Sequence, residues 1–187
     1  MNVNQSHVRD LAAEPVVLSD GRAATVRLLD LSDRPALQTL FDSVSEEHLY
    51  TRFFSLGRGM VSRHLDHLFA GGATVVVTYV VEVQGRVIGV SDVEHLSATT
   101  AEVAFLVADD MHGRGVATLL LERATRDAHD AGIEWFTADV LAMNHEMLEV
   151  FTDIGFTVDL ALGGTDVTVR MSTAPTTASG VAERSRR

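Results

Sequence analysis

The sequence predicts one mixed α/β domain whose sheet is largely antiparallel, with a single crossover in the second half of the chain. Its 187 residues fit about one ordinary domain, and a hydrophobic fraction of 46% is enough to form a core. Runs of β-branched residues joined by short glycine turns indicate hairpins. One long apolar stripe at helical spacing lies between two such runs and indicates a crossover helix.

The first half of the chain is predicted to form a β-hairpin followed by helices. A turn at Asp20 and Gly21 separates two β-type runs. Ser32 is expected to cap a helix that has Pro35 in its first turn. The predicted elements are strands over residues 16–18 and 23–29 and helices from Ser32, over 45–52 and over 61–69, the last ended by Gly71 and Gly72.

In the second half, strands and helices alternate. A hairpin is expected around Gly85, and an apolar stripe from Val116 to Ala128 predicts a long helix that stops at Gly132. Because this helix lies between two strands, it can connect parallel neighbours. The predicted elements are strands over residues 73–83, 87–94, 100–108, 135–141, 157–162 and 166–171 and helices over 116–128 and 144–154.

Composition argues against several classes of function. The 26 acidic and 15 basic side chains give a net charge of −11, which disfavours a nucleic-acid partner. The absence of cysteine excludes disulfides, thiolate metal sites and a cysteine nucleophile. The longest apolar run, residues 73–81, is far shorter than the roughly 20 residues of a membrane helix. Residues 1–14 lack the apolar core of a signal peptide, so we expect a cytoplasmic protein without a membrane partner.

Polar, patternless segments flank the predicted domain. Residues 1–14 are expected to be a flexible N-terminal arm. Residues 172–187, which are rich in Ser, Thr, Ala and Pro, are expected to be a disordered tail. A single folded domain is therefore expected over residues 15–171, and its oligomeric state stays open.

The segment from Ala101 to Ala117 concentrates the features that indicate a site. A strand ends near Ala108, and Gly113-Arg114-Gly115 leads into the long helix. The glycines allow a ligand to approach the backbone, and the first amides of a helix suit an anion such as a pyrophosphate. A Gly-x-Gly turn alone is more often an ordinary loop. It is neither a P-loop nor a dinucleotide-binding fingerprint.

With its neighbours, this segment resembles the GNAT superfamily of N-acetyltransferases, whose CoA-binding loop has the pattern Gln/Arg-x-x-Gly-x-Gly/Ala. Residues 112–117 match it except at the first position. The likeness covers residues 16–171, including Gly155 with Phe156. It is more specific to bacterial Pat-type protein lysine acetyltransferases, which share the phrases at 18–22, 45–55, 101–105 and 141–144. The resemblance implies the GNAT fold, a largely antiparallel mixed sheet flanked by helices, and direct acetyl transfer from acetyl-CoA to an amine.

The resemblance assigns the general base to Glu102. A lysine ammonium, with a pKa near 10.4, must lose a proton before its nitrogen can attack. Glu102 is the one carboxylate of the strand 101–108 and has apolar neighbours, so partial burial is expected to raise its pKa. Without the resemblance, a solvent-facing strand carboxylate would be the simpler interpretation.

The resemblance also assigns the contacts to CoA. The loop before the long helix would hold the pyrophosphate. The backbone of the preceding strand, splayed at a bulge, would pair with the pantetheine arm and supply an oxyanion donor. Asn144 is expected to cap the following helix and to touch the CoA arm. The expected CoA-binding residues are Phe105, Leu106, Val107, His112, Gly113, Arg114, Gly115, Val116, Ala117 and Asn144.

Two positions depart from the family pattern. His112 stands where Gln or Arg is usual; backbone contacts should preserve binding, with an altered pH dependence if the imidazole meets phosphate. Many GNAT enzymes place a tyrosine acid four residues before the Gly-Phe pair, where this chain has Phe151. The thiolate is then expected to leave unassisted or to take a proton from water.

Other polar residues have ordinary structural interpretations. His64 and His67 share a helix face beside Asp66, but no third ligand has a recognisable spacing. These histidines are therefore expected at the surface, and no metal is expected. Asp109 and Asp110 would repel a pyrophosphate, so we expect them to face solvent or to cap the long helix.

The sequence thus predicts an acetyl-CoA-dependent N-acetyltransferase whose acceptor is a protein lysine, for example in an acyl-CoA synthetase. Two alternatives stay open. One is acetylation of a small amine such as a polyamine, an aminoglycoside or an amino acid, which the acidic surface would also attract. The other is a non-catalytic acyl-CoA-binding module. Pat-type relatives often have a fused regulatory domain, and the chain length leads us to expect a catalytic domain alone.

Overall fold

The computed structural model describes residues 13–54, 59–69, 76–154 and 158–174. Within these ranges, eight strands form one sheet and five α-helices pack around it. The strands are β1 (Glu14–Val17), β2 (Ala23–Leu28), β3 (Val76–Val83), β4 (Arg86–His95), β5 (Thr100–Val107), β6 (Trp135–Leu141), β7 (Val158–Leu162) and β8 (Asp166–Ser172). The helices are α1 (Arg34–Ser43), α2 (Glu46–Phe53), α3 (Gly59–Phe69), α4 (Val116–Asp130) and α5 (His145–Asp153).

The strand order is β1-β2-β3-β4-β5-β6-β8-β7. Adjacent strands are antiparallel with one exception, the parallel pair β5–β6, which α4 connects. A parallel pair needs a crossover of this kind, whereas the antiparallel pairs close through short turns. The predicted fold class, a largely antiparallel α/β sheet with one crossover, is confirmed.

The parallel pair β5–β6 is short. Its described partners are Thr100 with Trp135, Ala101 with Phe136 and Glu102 with Thr137, although β5 runs on to Val107 and β6 to Leu141. The two strands therefore part beyond Glu102, and each leaves one backbone edge facing the gap. Such an edge presents N–H and C=O groups that can pair with another extended chain.

The splay arises without the bulge that the sequence analysis expected in β5. The register of β4 and β5 runs without a shift through its described pairs, from Gly89 opposite Val107 to His95 opposite Ala101. The register shift of this part of the sheet lies instead between β3 and β4, at Val81. The strands part because the β5–β6 pairing stops.

The start of α1 differs from its prediction. A short 3-10 helix, Leu31–Asp33, precedes α1, and Asp30 caps it by accepting a hydrogen bond from the amide of Ser32. The carboxylate of Asp33 in turn accepts a hydrogen bond from the amide of Asp30, and it also binds Arg27 of β2 through both of its oxygens. The prediction that Ser32 caps the helix is wrong, because the carboxylate two residues earlier reaches the free amides first.

The remaining elements lie close to their predicted bounds. Ser45 caps α2 by accepting from the amide of His48, and Asn144 caps α5 by accepting from the amide of Met147. Strand β1 begins at Glu14 and β8 ends at Ser172, one residue beyond each predicted limit of the domain. The predicted helix stop at residues 71–72 and the Gly-Phe pair at 155–156 lie outside the described residues.

The core lies between the sheet and the helices. The apolar stripe of α4, including Leu120, Leu121 and Ala124, is fully buried and packs on β3, β4 and β5. Gly89 of β4 lies beneath the first turn of this helix: a Cβ added there would come 2.6 Å from Cγ1 of Val116. Only glycine allows this close approach, so residue 89 sets the height of the α4 N-terminus above the sheet.

In the part of the chain that the structure describes, no helix is long and apolar enough to cross a membrane.

Candidate active site

A cleft of about 1130 Å³ opens between β5 and β6 where the two strands part. Its walls come from both strands, from α2, from the first turn of α4 and from α5. A cleft of this size can bury most of a cofactor-sized ligand. The residues along its walls include 47–48, 51–54, 102–107, 111–113, 115–118, 138–140, 143–147, 149–151 and 153.

The N-terminus of α4 lies at one end of the cleft with free backbone donors. The first described helical bond runs from the Leu119 amide to the Gly115 carbonyl, so the amides of residues 116–118 precede the helical ladder. Among the described residues, no side chain caps this helix. Gly113 and Gly115 have φ of +66° and +78°, which side chains rarely adopt. The loop therefore needs glycine and presents its amides, with the positive helix end, to an anion.

Arg114 lies outside this arrangement. Its guanidinium binds the carboxylate of Asp20 in the β1–β2 turn and donates to the carbonyl of Asp110 at 3.2 Å. Arg114 is also absent from the described lining of the cleft. The sequence placed Arg114 in the pyrophosphate loop, and the fold turns its side chain toward the β1–β2 hairpin instead.

His112 occupies the first position of the loop and faces inward. Its Nε2 lies 3.3 Å from the carbonyl of Val107, and its Nδ1 lies 3.5 Å from a carboxylate oxygen of Glu146 on α5. The ring lies against that of His48 from α2, tilted by 36° with centroids 4.4 Å apart. The imidazole thus fills the corner where β5, α2 and α5 meet.

Glu102 lies at the point where β5 and β6 part, in the last described pair of the two strands. Its side chain is open to the cleft, yet the surrounding protein removes part of its hydration, in line with the expected partial burial. Its pKa is raised first by this desolvation and then by the negative charges of Asp139 and Glu94. Arg52 opposes the shift. A carboxylate with a raised pKa in a cleft suits proton transfer.

A buried ionic cluster surrounds Asp92 of β4, the strand that pairs with β5 beside Glu102. Arg52 of α2 donates to Asp92 at 2.8 Å, Nε2 of His64 from α3 lies 2.9 Å away, and Thr78 donates at 3.0 Å. Burial alone would raise the pKa of Asp92, but His64 and Arg52 outweigh it and hold that pKa below its ordinary value. The cluster ties two helices to the sheet beside the cleft.

This cluster corrects one prediction about the histidines. The side chain of His64 is only 14% exposed, because it packs between Phe41 and Phe53 and against Asp92. His67, on the same helix, is 44% exposed as expected for a surface residue. The three-residue spacing places His64 and His67 on one side of α3 but does not show which of them is buried, because the partner carboxylate, Asp92, lies on another element.

Two acidic residues before α4 are exposed, as expected, and each also has a partner on another element. Asp109 accepts hydrogen bonds from the Ser45 amide at 3.0 Å and pairs with Nδ1 of His48 at 2.8 Å. Asp110 forms a two-fold salt bridge with Arg86. Neither caps α4, and both stay exposed while they pair with other elements; Asp109 ties α2 to this segment.

The apolar floor of the cleft comes from β5 and α5. Phe105 and Leu106 are buried, and Phe151 of α5 is buried in an edge-to-face contact with Phe105, 5.9 Å between ring centroids. A phenylalanine has no proton to give, so position 151 cannot serve as a general acid. Beyond Glu102, the second backbone edge of β5 borders the cleft, with the Val107 carbonyl next to His112.

Residues 24–157 match the protein family described as an acetyltransferase (GNAT) domain. The chain belongs to the GNAT family. This match covers most of the chain and confirms both the resemblance and the predicted class of enzyme, an acetyl-CoA-dependent N-acetyltransferase.

Individual GNAT relatives agree with this assignment. The chain is similar to the crystal structure of the GNAT domain of S. lividans PAT, with a TM-score of 0.78 and 29% identity over 91% of this chain and 99% of that one. It is 39% identical over 59 residues to acetyltransferase Pat of Mycolicibacterium smegmatis. That segment is 32% of this chain and only 18% of the relative.

A more distant neighbour shows the fold alone. The structure of Mycobacterium smegmatis RimJ in complex with CoA-disulfide has a TM-score of 0.62 and 16% identity, over 90% of this chain and 88% of that one.

Sequence reasoning missed several side-chain partners around this cleft. Asp92 stands in an otherwise apolar run of β4, and a lone carboxylate in such a run is a signal of a buried ionic partner. The contact of His48 with Asp109 joins residues 61 positions apart, so no local spacing could have shown it.

Proposed function

We propose that the protein transfers the acetyl group of acetyl-CoA to the side-chain amine of a protein lysine by direct attack, with Glu102 as general base. The observation that supports this most is that Glu102 lies at the fork of β5 and β6 in the same cleft as the free amides of α4. A base and an anion-binding helix end thus line one continuous space.

The described residues fit two parts of CoA, the pyrophosphate and the pantetheine arm. The first-turn amides of α4, presented by Gly113 and Gly115, suit the pyrophosphate, and the free edge of residues 105–107 suits the amides of the pantetheine arm. Asn144, which caps α5, lines the same cleft. CoA would supply the acetyl thioester. Arg114 is left out of this set because it binds Asp20.

Glu102 then moves one proton. A lysine arrives as an ammonium, and its nitrogen attacks only after a proton passes to the Glu102 carboxylate, directly or through water. The new C–N bond forms as the C–S bond breaks. The nitrogen then releases its second proton to solvent, and the departing sulfur takes one proton from solvent because position 151 is a phenylalanine. The pKa of Glu102 is raised, which brings it closer to the operating pH, where a general base is most effective.

The charge of the cleft favours a cationic acceptor. Six carboxylates lie among its described lining residues, against one arginine, Arg52, which is bound to Asp92. This field attracts an ammonium group and raises its local concentration. The acidic lining residues are Glu47, Glu102, Asp139, Glu146, Glu149 and Asp153. The likeness to the PAT domain favours a protein lysine over a small amine.

We further propose residues 15–171 as the acetyltransferase domain, which β1 and β8 extend by one residue at each end; most of the predicted arm and tail lies outside the described residues. The acceptor protein, for example an acyl-CoA synthetase, and a cytoplasmic location belong to the same proposal.

The test compares wild type with Glu102→Gln and with Glu122→Gln, an exposed carboxylate of α4 outside the described cleft lining. Acetyl transfer is measured on a protein panel that includes acyl-CoA synthetases and on a panel of small amines, and CoA binding is measured by calorimetry. We expect transfer to protein lysine, a loss of about 10²- to 10⁴-fold in Glu102→Gln with CoA binding retained, and no change in Glu122→Gln.

Three outcomes would contradict parts of the proposal. Full activity of Glu102→Gln removes the assigned base. Transfer to small amines alone replaces the acceptor. CoA binding without transfer to any acceptor supports the binding-module alternative.

A further inference from the structure

Three side chains with metal-binding atoms meet at the corner between α2 and the segment that leads into α4. They are His48, Asp109 and His112, and one ligand atom from each lies within 4.8 Å of the other two. Asp109 is already 2.8 Å from Nδ1 of His48. The three come from two distant parts of the chain, so the tertiary fold brings them together.

The surroundings of the cluster suit an ion that arrives from solvent. The side chains of His48, Asp109 and His112 are 36%, 37% and 30% exposed, so they are accessible but partly desolvated. The imidazole rings are tilted by 36° with centroids 4.4 Å apart, which places two imidazole side chains beside one carboxylate. Two imidazoles and a carboxylate are a donor set that zinc prefers, and harder ions such as Mg²⁺ do not.

A purely structural role explains only part of this arrangement. The contacts of Asp109 with His48 and with the Ser45 amide tie α2 to the chain before α4. They give no reason for a second imidazole that lies against the first. His112 has only long contacts, 3.3 Å to the Val107 carbonyl and 3.5 Å to Glu146, so its nitrogens are available at small cost.

We propose that His48, Asp109 and His112 form a site for one zinc ion. Tetrahedral coordination at ordinary zinc–ligand lengths needs ligand atoms roughly 3.3 Å apart. This separation lies between the 2.8 Å from Nδ1 of His48 to Asp109 and the 4.8 Å within which all three ligand atoms lie, so small side-chain adjustments suffice. Three protein ligands leave one position of the ion open, as in zinc sites that exchange a ligand.

Direct metal binding to the metal-free protein tests the site without CoA or an acceptor, so its outcome does not depend on the proposed function. Zn²⁺ is titrated in competition with a chromogenic chelator, and Co²⁺ is added separately to record its visible absorption. We expect one equivalent of Zn²⁺ per chain and the intense visible bands of four-coordinate Co²⁺. The variants His48→Gln, Asp109→Asn and His112→Gln should each weaken Zn²⁺ binding at least tenfold, since even second-layer partners of metal ligands cost about 10- to 100-fold.

The matched control is His129→Gln, an exposed histidine in the last turn of α4. It should bind Zn²⁺ like wild type. No binding by the wild-type chain, or unchanged binding by both His48→Gln and His112→Gln, overturns the proposal. Because His112→Gln introduces the side chain usual in the family loop, it also separates loss of a ligand from loss of the fold; circular dichroism confirms that the variant is folded.

Discussion

Glu94 and Glu102 lie directly opposite each other across the antiparallel strands β4 and β5. Residues paired in this way hold their Cβ atoms only about 5 Å apart, and like charges at such positions repel. The repulsion disfavours ionisation of Glu102, and Asp139 acts in the same direction. The sheet register thus helps to raise the pKa of the proposed base.

The substitution Glu94→Gln should therefore lower the pKa of Glu102. A general base works only when deprotonated, so activity falls below its pKa, and the acid limb of the pH profile of kcat/KM should move to lower pH. The profile is measured from pH 5 to pH 9 on the acceptor identified by the transfer assay. Glu122→Gln, which removes a carboxylate away from the cleft lining, should leave the acid limb in place. An unmoved limb in Glu94→Gln would show that Glu102 does not control it.

Removal of the buried Asp92 charge should destabilise the fold. Asp92→Asn leaves Arg52 without its anion in a nearly inaccessible site, which costs about 3 kcal/mol at neutral pH. The folded pKa of Asp92 is lowered, so its stabilisation is present above the unfolded pKa, about 3.9, and is lost as pH falls through the folded value. The free energy of unfolding of the two proteins should therefore converge in acid.

The control for this change is Asp66→Asn. Asp66 also pairs with an arginine, Arg34, but its side chain is 69% exposed. A pair this exposed contributes at most about 1 kcal/mol. Urea denaturation at neutral and acid pH measures both variants; an equal loss in the two would refute a special role for the buried cluster.

Gly89→Ala should lift the first turn of α4. The added methyl group meets Val116 at 2.6 Å, and overpacking of this kind costs about 1–3 kcal/mol. Since Val116 begins the helix whose amides are proposed to hold the pyrophosphate, CoA affinity should fall together with stability. Gly59→Ala is the matched control, because open space surrounds that position and helices favour alanine. Calorimetry with CoA and thermal unfolding measure the two effects; unchanged CoA affinity in Gly89→Ala would argue against the helix end as the site.

Asp20→Asn should release Arg114. With its carboxylate partner neutral, the guanidinium can turn from the β1–β2 hairpin toward a bound anion, and one negative charge near the loop is removed. We expect CoA to bind about threefold more tightly at low ionic strength, with the gain shrinking as salt screens it. Asp159→Asn on β7 makes the same change of net charge at an exposed residue outside the cleft lining. Equal effects of the two variants would mean that only net charge matters.

Local patterns predicted most of the fold because each element depends on residues close in sequence. Strand β6 has the predicted bounds, Asn144 caps α5 as expected, and Ser45 caps the helix that was predicted to begin there. The prediction failed at Ser32, because the carboxylate of Asp30 accepts the hydrogen bond from the Ser32 amide and caps the turn before α1. Ser32 and Asp30 are both good capping residues, so local preference did not decide between them.

Contacts between distant residues account for the rest of the site. The side chain of Arg114 was expected on the pyrophosphate because its loop matches a family pattern, but Asp20, 94 residues earlier, holds it. Asp92 and His64 were invisible as partners for the same reason. Backbone features such as the glycine loop follow from local sequence, whereas the destination of a long charged side chain depends on the whole fold.

The brevity of the β5–β6 pairing has a consequence for exchange of backbone amide hydrogens with solvent. Beyond Glu102, the amides of β5 that point toward β6 have no described strand pairing, whereas those that point toward β4 are paired. The first set should therefore exchange faster than the second. A ligand that pairs with this edge would slow the first set selectively. The exchange rates of the individual amides in residues 103–107 therefore show whether a ligand occupies the cleft, even before any acceptor is known.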